Sequence, residues 1–487
     1  MSGFVSLVGA GPGNPELLTL LGKRRLQEAD VVVYDRLVNP ALLSPLMAEK
    51  IDVGKLPHHH KFSQYQINDL LVKLAREGKR VVRLKAGDPY VFGRGGEESQ
   101  YLRERNVAFE VVPGITSAIA GLGAAGIPIT HRDFASSFHI ITGHHKAAGK
   151  ELDWQNIAHQ EGTIVFLMGM EELGRITQHL IENGKSPQTP VAVIQWATHW
   201  KQRAVKSDLA NISQVVTENK MSSPALIVVG DVVSLMDELY PHLPLQGLHL
   251  LVPFKEPSQL FAKLQDQGAA VNFFDRRLKM PLKFDLPDIS HGGTLVVTDF
   301  AAFHFFQQTL LASGFDHRAL LYWQILTTNR MVDRKLRDAG IISDGNFDME
   351  NSQYRDPVIV LGEQQTLSHL PGHYSEKIAT YQAKPVAQQI DLTNFHAVIF
   401  PSSASASDLV EGCDADQRQR LVLMPCFAMG TMVAEECHRL GLENVIAVEP
   451  TFDAVVNAVE RKFQNESSRS TSRQFRDNIS PNPAKDN

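Results

Sequence analysis

Over the first 240 residues short apolar runs alternate with amphipathic ones, and that alternation predicts a layered α/β fold. FVSLV at 4 to 8 reads as a strand that runs into Gly9-Ala10-Gly11-Pro12-Gly13-Asn14-Pro15, after which Leu17 to Glu28 has a helical period. VVVYD at 31 to 35 reads as a second buried strand ending in an acid, followed by a helix-like stretch and the strand-like IDVG before Lys55. Val81, Val82 and Leu84 form a third strand pattern, and others fall at 109 to 112, 138 to 142, 163 to 167, 191 to 195 and 225 to 229. Strands alternating with helical runs in this way imply a parallel or mixed sheet covered by helices.

The stretch 240 to 247, YPHLPLQG, lacks periodicity and carries Pro and Gly, so a domain boundary is placed there, between residues 1–240 and 248–463. From HLLVPF at 249 to 254 a second α/β series starts, with helical runs near 256 to 267 and 301 to 313 and strands at 294 to 298 and 357 to 361. Its later part repeats the theme through AVIFPSSASASDLVE (397 to 411), VLMPCFAMGTMVAEECHRLGL (422 to 442) and VIAVEP (445 to 450), which suggests two similar lobes. From about residue 465 the chain is rich in Ser, Arg, Asn and Pro and is expected to be a disordered tail.

Composition narrows the function classes. A formal net charge of −6 with both signs nearly balanced gives no sign of a nucleic-acid or membrane-surface partner. Cys413, Cys426 and Cys437 are unevenly spaced, which argues against a disulfide framework or structural zinc. The opening MSGFVSLVGAG has no basic segment or cleavage signal, and a cytoplasmic, soluble protein is expected.

Chemistry concentrates in VVRLKAGDPYVFGRGGEE, residues 81 to 98, where a strand ends on a loop that carries an acid. Gly87, Gly93, Gly95 and Gly96 let backbone approach a ligand, and Arg83, Lys85 and Arg94 surround the turn with positive charge. The earlier loop GAGPGN superficially resembles a dinucleotide fingerprint, but Asn14 stands where the last glycine belongs, and Pro12 removes a donor that a pyrophosphate would want. Nicotinamide binding is the weaker reading.

GAGPGN (9 to 14), YDRLV (34 to 38), VGK (53 to 55), LKAGDPYVFGRGGEE (84 to 98), VPGITSA (112 to 118) and GIPITHRD (126 to 133), in that order and spacing, resemble the uroporphyrinogen-III C-methyltransferases of the tetrapyrrole methyltransferase family. The resemblance implies a homodimer whose two α/β subdomains hold S-adenosyl-L-methionine, release S-adenosyl-L-homocysteine, and methylate uroporphyrinogen III twice to precorrin-2, for sirohaem or cobalamin. It implies Asp35 as proton acceptor and Lys55 as proton donor, with cofactor contacts at Pro12, Ala86, Gly87, Asp88, Val91, Thr116, Ser117, Met168 and Ala197. Asp88 is expected to accept from the cofactor amino group, and Met168 to give a polarizable wall. For the many carboxylates of the substrate, Arg36, Lys85, Arg94 and Arg132 are the candidate cations. The run His58-His59-His60 is read as loop residues near the substrate, and no metal is expected, since three adjacent residues do not converge as ligands and methyl transfer needs none.

Residues 248 to about 463 resemble uroporphyrinogen-III synthase, which closes linear hydroxymethylbilane, and more clearly so in the later lobe. There Tyr381 is the implied catalytic donor, with Ser402, Ser403 and Thr431 on the substrate. The earlier lobe departs at LLVPFKEP and VVTDFAAF and in the polar stretch 343 to 356. Two alternatives therefore stand beside a bifunctional enzyme: a methyltransferase acting on another corrinoid intermediate, and one with an inactive, partner-binding or structural second half.

Overall fold

In the computed structural model the described residues are 3–43, 46–56, 59–60, 62–143, 151–253, 258–348 and 354–477, with side chains described except at 55, 56, 59, 60 and 465–477. The chain divides into two compact units, one built chiefly on Met1–Leu250 and the other on Phe273–Val455. Among the described residues no helix is long and apolar enough to cross a membrane.

The first unit opens with β1 (Phe4–Gly9), β2 (Val31–Tyr34), β3 (Glu49–Asp52), the short hairpin of β4 (Lys55–Leu56) and β5 (His59–His60), β6 (Arg80–Lys85) and β7 (Phe109–Val112). The first sheet has the order β3-β2-β6-β1-β7, all pairs parallel. Its helices are α1 (Leu20–Glu28), α2 (Gln64–Arg76) and α3 (Gly95–Glu104). Alternation along β6 sends Val82 and Leu84 into a core with Leu26 of α1, while Val81 packs with Ile67, Leu71 and Leu102 of α2 and α3. The chain leaves β1 toward β2 and leaves the adjacent β6 toward β7, so the sheet's topological switch point lies at the carboxyl ends of β1 and β6.

Helix α4 (Ser117–Ala124) follows β7 yet packs on the next sheet, with Ala118 and Leu122 against Val165, Ala192 and Ile194. That sheet holds β8 (Phe138–Thr142), β9 (Thr163–Leu167), β10 (Pro190–Gln195), β11 (Arg203–Asp208) and β12 (Ala225–Val229), in the order β11-β10-β12-β9-β8. It is mixed, since β10 runs antiparallel to both β11 and β12. Sequence periodicity missed β11, whose residues are mostly half-buried and polar, as edge strands tend to be. The helix expected from Leu17 starts instead at Leu20, because Asn14 and Thr19 each cap a separate turn with their side chains. Between β2 and β3 the described residues of the helix-like stretch hold a 3₁₀ turn, Pro40–Leu42.

The later strands are β13 (His249–Val252), β14 (Ala270–Phe273), β15 (Leu278–Pro281), β16 (Gly293–Val297), β17 (Trp323–Thr327), β18 (Gly345–Asn346), β19 (Val358–Glu363), β20 (Glu376–Lys384), β21 (Ala397–Phe400), β22 (Cys426–Met429) and β23 (Val445–Val448). They form a five-stranded sheet, β14-β13-β21-β22-β23, and a six-stranded one, β15-β20-β19-β16-β17-β18. The final helix, Phe452–Asp477, runs past the point where composition reads as disordered.

Candidate active site

Three loops meet at the carboxyl ends of β1, β6 and β7. Gly11 and Gly87 exchange backbone hydrogen bonds, at 3.3 Å from Gly11 N to Gly87 O and 2.8 Å from Gly87 N to Gly11 O. The third loop presses on both, since a Cβ at Gly114 would lie 2.2 Å from Gly87 O and 2.6 Å from Gly9 Cα. Only glycine permits that approach. Asp88 closes the knot from inside: its carboxylate accepts from Tyr90 N at 2.7 Å and Gly114 N at 3.0 Å. The expected role of Asp88 toward a cofactor amino group therefore shares its oxygens with the loop's own amides. Beside these contacts, a Cβ on Gly87 (φ +69°) would meet nothing nearer than Thr116 Cα at 3.9 Å, so the loop leaves an open cradle over its backbone.

The second sheet supplies the opposite wall. Met168 follows β9 and Ala197 follows β10, and Gly13 reaches across so closely that its Cβ would lie 3.0 Å from Ala197 O. Asn14 N donates to Thr198 Oγ1 at 3.1 Å. Among the described residues, five of the seven non-glycine residues with positive φ are in these loops, namely Phe92, Arg94, Met168, Trp196 and Thr198. Such backbone conformations persist where surrounding structure enforces them, and they concentrate at ligand sites.

Next to the loops lies a quartet of charges, three of them buried. Asp35 directly follows β2, and its Oδ1 accepts from Arg83 Nη2 at 2.5 Å while Lys85 Nζ stands 4.0 Å from Oδ2. Arg83 and Lys85 share the α2/α3 face of β6 with Val81, and Glu98 of α3 meets both, at 3.3 Å to Arg83 Nε and 3.0 Å to Lys85 Nζ. Arg83, Lys85 and Glu98 are 2%, 3% and 0% exposed, whereas Asp35 is 34% exposed. Burial disfavours the charge on Arg83, but Asp35 and Glu98 outweigh it and raise its pKa. Burial, helped by the neighbouring Arg83, holds Lys85 below the usual ammonium range.

Lys85, expected among the cations for substrate carboxylates, is buried and donates to Glu98 Oε1 inside the domain. Arg36 and Arg132 are exposed, and Arg94, in an αL conformation ahead of α3, pairs with Glu97 at 2.5 Å. Pro12, Ala86 and Val91 line their loops half-buried; Thr116 caps α4 and Ser117 is its first residue. The Lys55 side chain and His58 lie outside the described residues, while His59 and His60 pair with Leu56 and Lys55 as a hairpin and not as open loop.

Comparison with known proteins places this arrangement. Residues 5–213 match the Tetrapyrrole (Corrin/Porphyrin) Methylases. The "S-adenosyl-L-methionine-dependent uroporphyrinogen III methyltransferase" of Methanosarcina barkeri is 53% identical over 241 residues, 49% of this chain and 94% of that relative. "Porphyrin biosynthesis protein HemD" of Ruminiclostridium josui is 33% identical over 489 residues, 93% of this chain and 97% of the relative. The chain belongs to the tetrapyrrole methylases. It also matches "Uroporphyrinogen-III C-methyltransferase" of Bacillus subtilis, 51% identical over 276 residues, which is 55% of this chain, and spans 57% of that relative's length. The methylase domain thus occupies the first half, and the full-length relative carries a second half as this chain does. Members of the family use S-adenosyl-L-methionine, and the cradle over Gly87 suits such a ligand, since backbone there is accessible and unfilled by side chains.

In the methylase's second half the expected donors are scattered in their engagement. Tyr381 on β20 is 5% exposed and sits in a core cluster, its ring 5.6 Å from that of Phe305. Burial and the nearby Asp299 carboxylate raise its pKa far above the usual phenol range. Ser402 Oγ caps the helix Ser403–Gly412, Ser403 Oγ donates to Met432 O at 3.4 Å, and Thr431 is exposed at the start of the helix after β22.

Proposed function

We propose that this methylase transfers two methyl groups from S-adenosyl-L-methionine to ring carbons of uroporphyrinogen III, giving precorrin-2, and that its second half closes hydroxymethylbilane to uroporphyrinogen III. The observation that carries the first part is the glycine-walled cradle at Gly11, Gly87 and Gly114, beside an ionisable acid held by buried cations, in a half of the chain that is 53% identical over 241 residues to the Methanosarcina barkeri enzyme.

The bound sulfonium supplies an electrophilic methyl whose S–CH₃ bond breaks as a pyrrole carbon forms the new C–C bond, the electron pair staying on sulfur. The chain's part is mostly placement. Gly87, Ala86, Pro12, Val91, Thr116 and Ser117 shape one side of the donor's site, with Met168 and Ala197 on the other, so that carbon and methyl are held at attacking distance away from water. Asp35, half-open to solvent and fixed from below, takes the proton released from the methylated ring, and Lys55 returns one to the macrocycle. Arg36, Arg94 and Arg132 meet the substrate's carboxylates. A homodimer is part of this reading.

Calorimetry with S-adenosyl-L-methionine, and product analysis of the whole chain given hydroxymethylbilane plus that donor, test both parts. Absence of heat with the donor sinks the first, and uroporphyrinogen I in place of the III isomer sinks the second. The burial of Tyr381 within the lobe favours the second reading, a methyltransferase whose other half has lost turnover.

A further inference from the structure

We propose that Glu98 is a positioning residue for methyl transfer: it anchors Arg83 and Lys85 as a rigid cationic floor that fixes where the Asp35 carboxylate stands. The inference rests on the methyltransferase reading above.

Every polar contact of the Glu98 carboxylate falls on one oxygen. Oε1 accepts from Arg83 Nε at 3.3 Å, Lys85 Nζ at 3.0 Å and Gln64 Nε2 at 3.0 Å, while Oε2 is buried without a hydrogen-bond partner among the described residues. A carboxylate kept merely for packing would be expected to satisfy both oxygens, because a buried polar atom left unpaired is costly. Here the geometry serves the cations instead. Arg83 spans the gap: its Nε is on Glu98, its Nη1 is 3.4 Å from Val33 O and from Leu84 O, and its Nη2 is on Asp35. A planar guanidinium held at three edges has no freedom to rotate, so the Asp35 oxygen that meets Nη2 is placed to within the tolerance of a short charged hydrogen bond. Gln64 itself is held by Asn68 Oδ1 at 3.1 Å, which ties the anchor to α2 as well as α3. Charge balance is complete, with two cations facing two carboxylates, and only the carboxylate nearest the loops is open to solvent. The proton acceptor is therefore mounted on a frame that begins on a covering helix.

The test uses the full chain and two variants, Glu98→Gln and Glu98→Gln with Lys85→Met, the second of which restores charge balance if the first fails to fold. Steady-state methylation of uroporphyrinogen III, donor affinity by calorimetry and circular dichroism are read for each. The expected result is a kcat lower by about 10- to 100-fold, as for a misplaced catalytic group, with KM and donor Kd within roughly twofold. The charge-balanced variant stays slow, since a neutral amide oxygen holds Arg83 less firmly than the carboxylate does. Wild-type kcat in either folded variant overturns the proposal, as does a fall in kcat/KM carried by KM. Failure of the methyltransferase reading is distinguishable: the unmutated chain then shows no donor binding or no methylated product.

Discussion

The carboxyl ends of the first sheet and those of the sheet β14-β13-β21-β22-β23 look alike on paper, each a strand running through small residues into a helix. They differ in what the small residues are for. Gly9, Gly87 and Gly114 are in mutual backbone contact, so each is fixed by its neighbours' positions. Gly430, after β22, has φ +97° and nothing within 4 Å of where its Cβ would go, so its need is local to one residue. Ser402 likewise spends its hydroxyl on its own helix. Buried charge sharpens the contrast: two cations, Arg83 and Lys85, and Glu98 are all buried beneath the first set of loops, while on the helix after β21 the buried Asp408 meets Arg276 and Arg277, which stay 35% and 26% exposed. A site is marked less by a motif than by contacts that packing alone would not choose.

The comparison can be broken from the largest expected effect downward. Asp35→Asn should cut methylation by about 10²- to 10⁴-fold, the span of a lost acid–base group, with donor affinity unchanged by calorimetry. Unaltered turnover would remove Asp35 from the mechanism. Gly114→Ala should abolish donor binding and cost about 3 kcal/mol, because the new methyl collides with backbone. Gly430→Ala should cost roughly 1–2 kcal/mol for backbone strain and leave donor binding intact. Equal donor affinities in the two glycine variants would erase the distinction drawn here.

A third probe is acid. His199, packed among Trp196, Trp200, His249 and Lys201, has its pKa pushed down to about 4 by burial, with His249 and Lys201 adding to the effect. The unfolded chain then binds the proton more readily, so this stability is present above the ordinary value of 6.5 and is lost as pH falls toward 4. His199→Gln should flatten urea stability between those pH values, by roughly 1 kcal/mol once screening of a partly exposed ring is allowed for. A parallel pH dependence in the variant would show that other groups dominate. The smallest effect is expected at Tyr381→Phe, about 1 kcal/mol for the lost hydroxyl, with methylation untouched. Slowed ring closure in that variant would argue for the bifunctional reading, and an unchanged rate for a purely structural tyrosine.

Much of the fold was legible because strand and helix periods are set by burial, and β1, β2, β6, β9, β10 and β12 of the first unit are buried along most of their length. FVSLV, VVVY and the strands at 109, 138, 163 and 225 all stand where their apolar runs fall. Asp35 and the glycine loops were legible as strand ends. The burial of Arg83, Lys85 and Glu98 was not, because charged residues near a turn read as solvated. Arg83 and Lys85 alternate with Val82 and Leu84, and in a central strand with helices on both faces that alternation leaves them no route to water. The signal for Glu98 was therefore present: two inward cations require a carboxylate on the covering helix, and GGEE offers one. The burial of Tyr381 was not legible for a different reason, since a hydroxyl that a cleft would use is the same one a core tyrosine turns toward Asp299.

The paired amides of Gly11 and Gly87 form a separate antiparallel bridge two residues beyond Gly9 and Lys85, the last parallel pair of β1 and β6. What lies at the tip of the sheet is thus stiff in the way the sheet is stiff, and its shape exists before any visitor arrives. Ordering entropy is lost once, when the chain folds, and is not charged again each time a small molecule comes and goes.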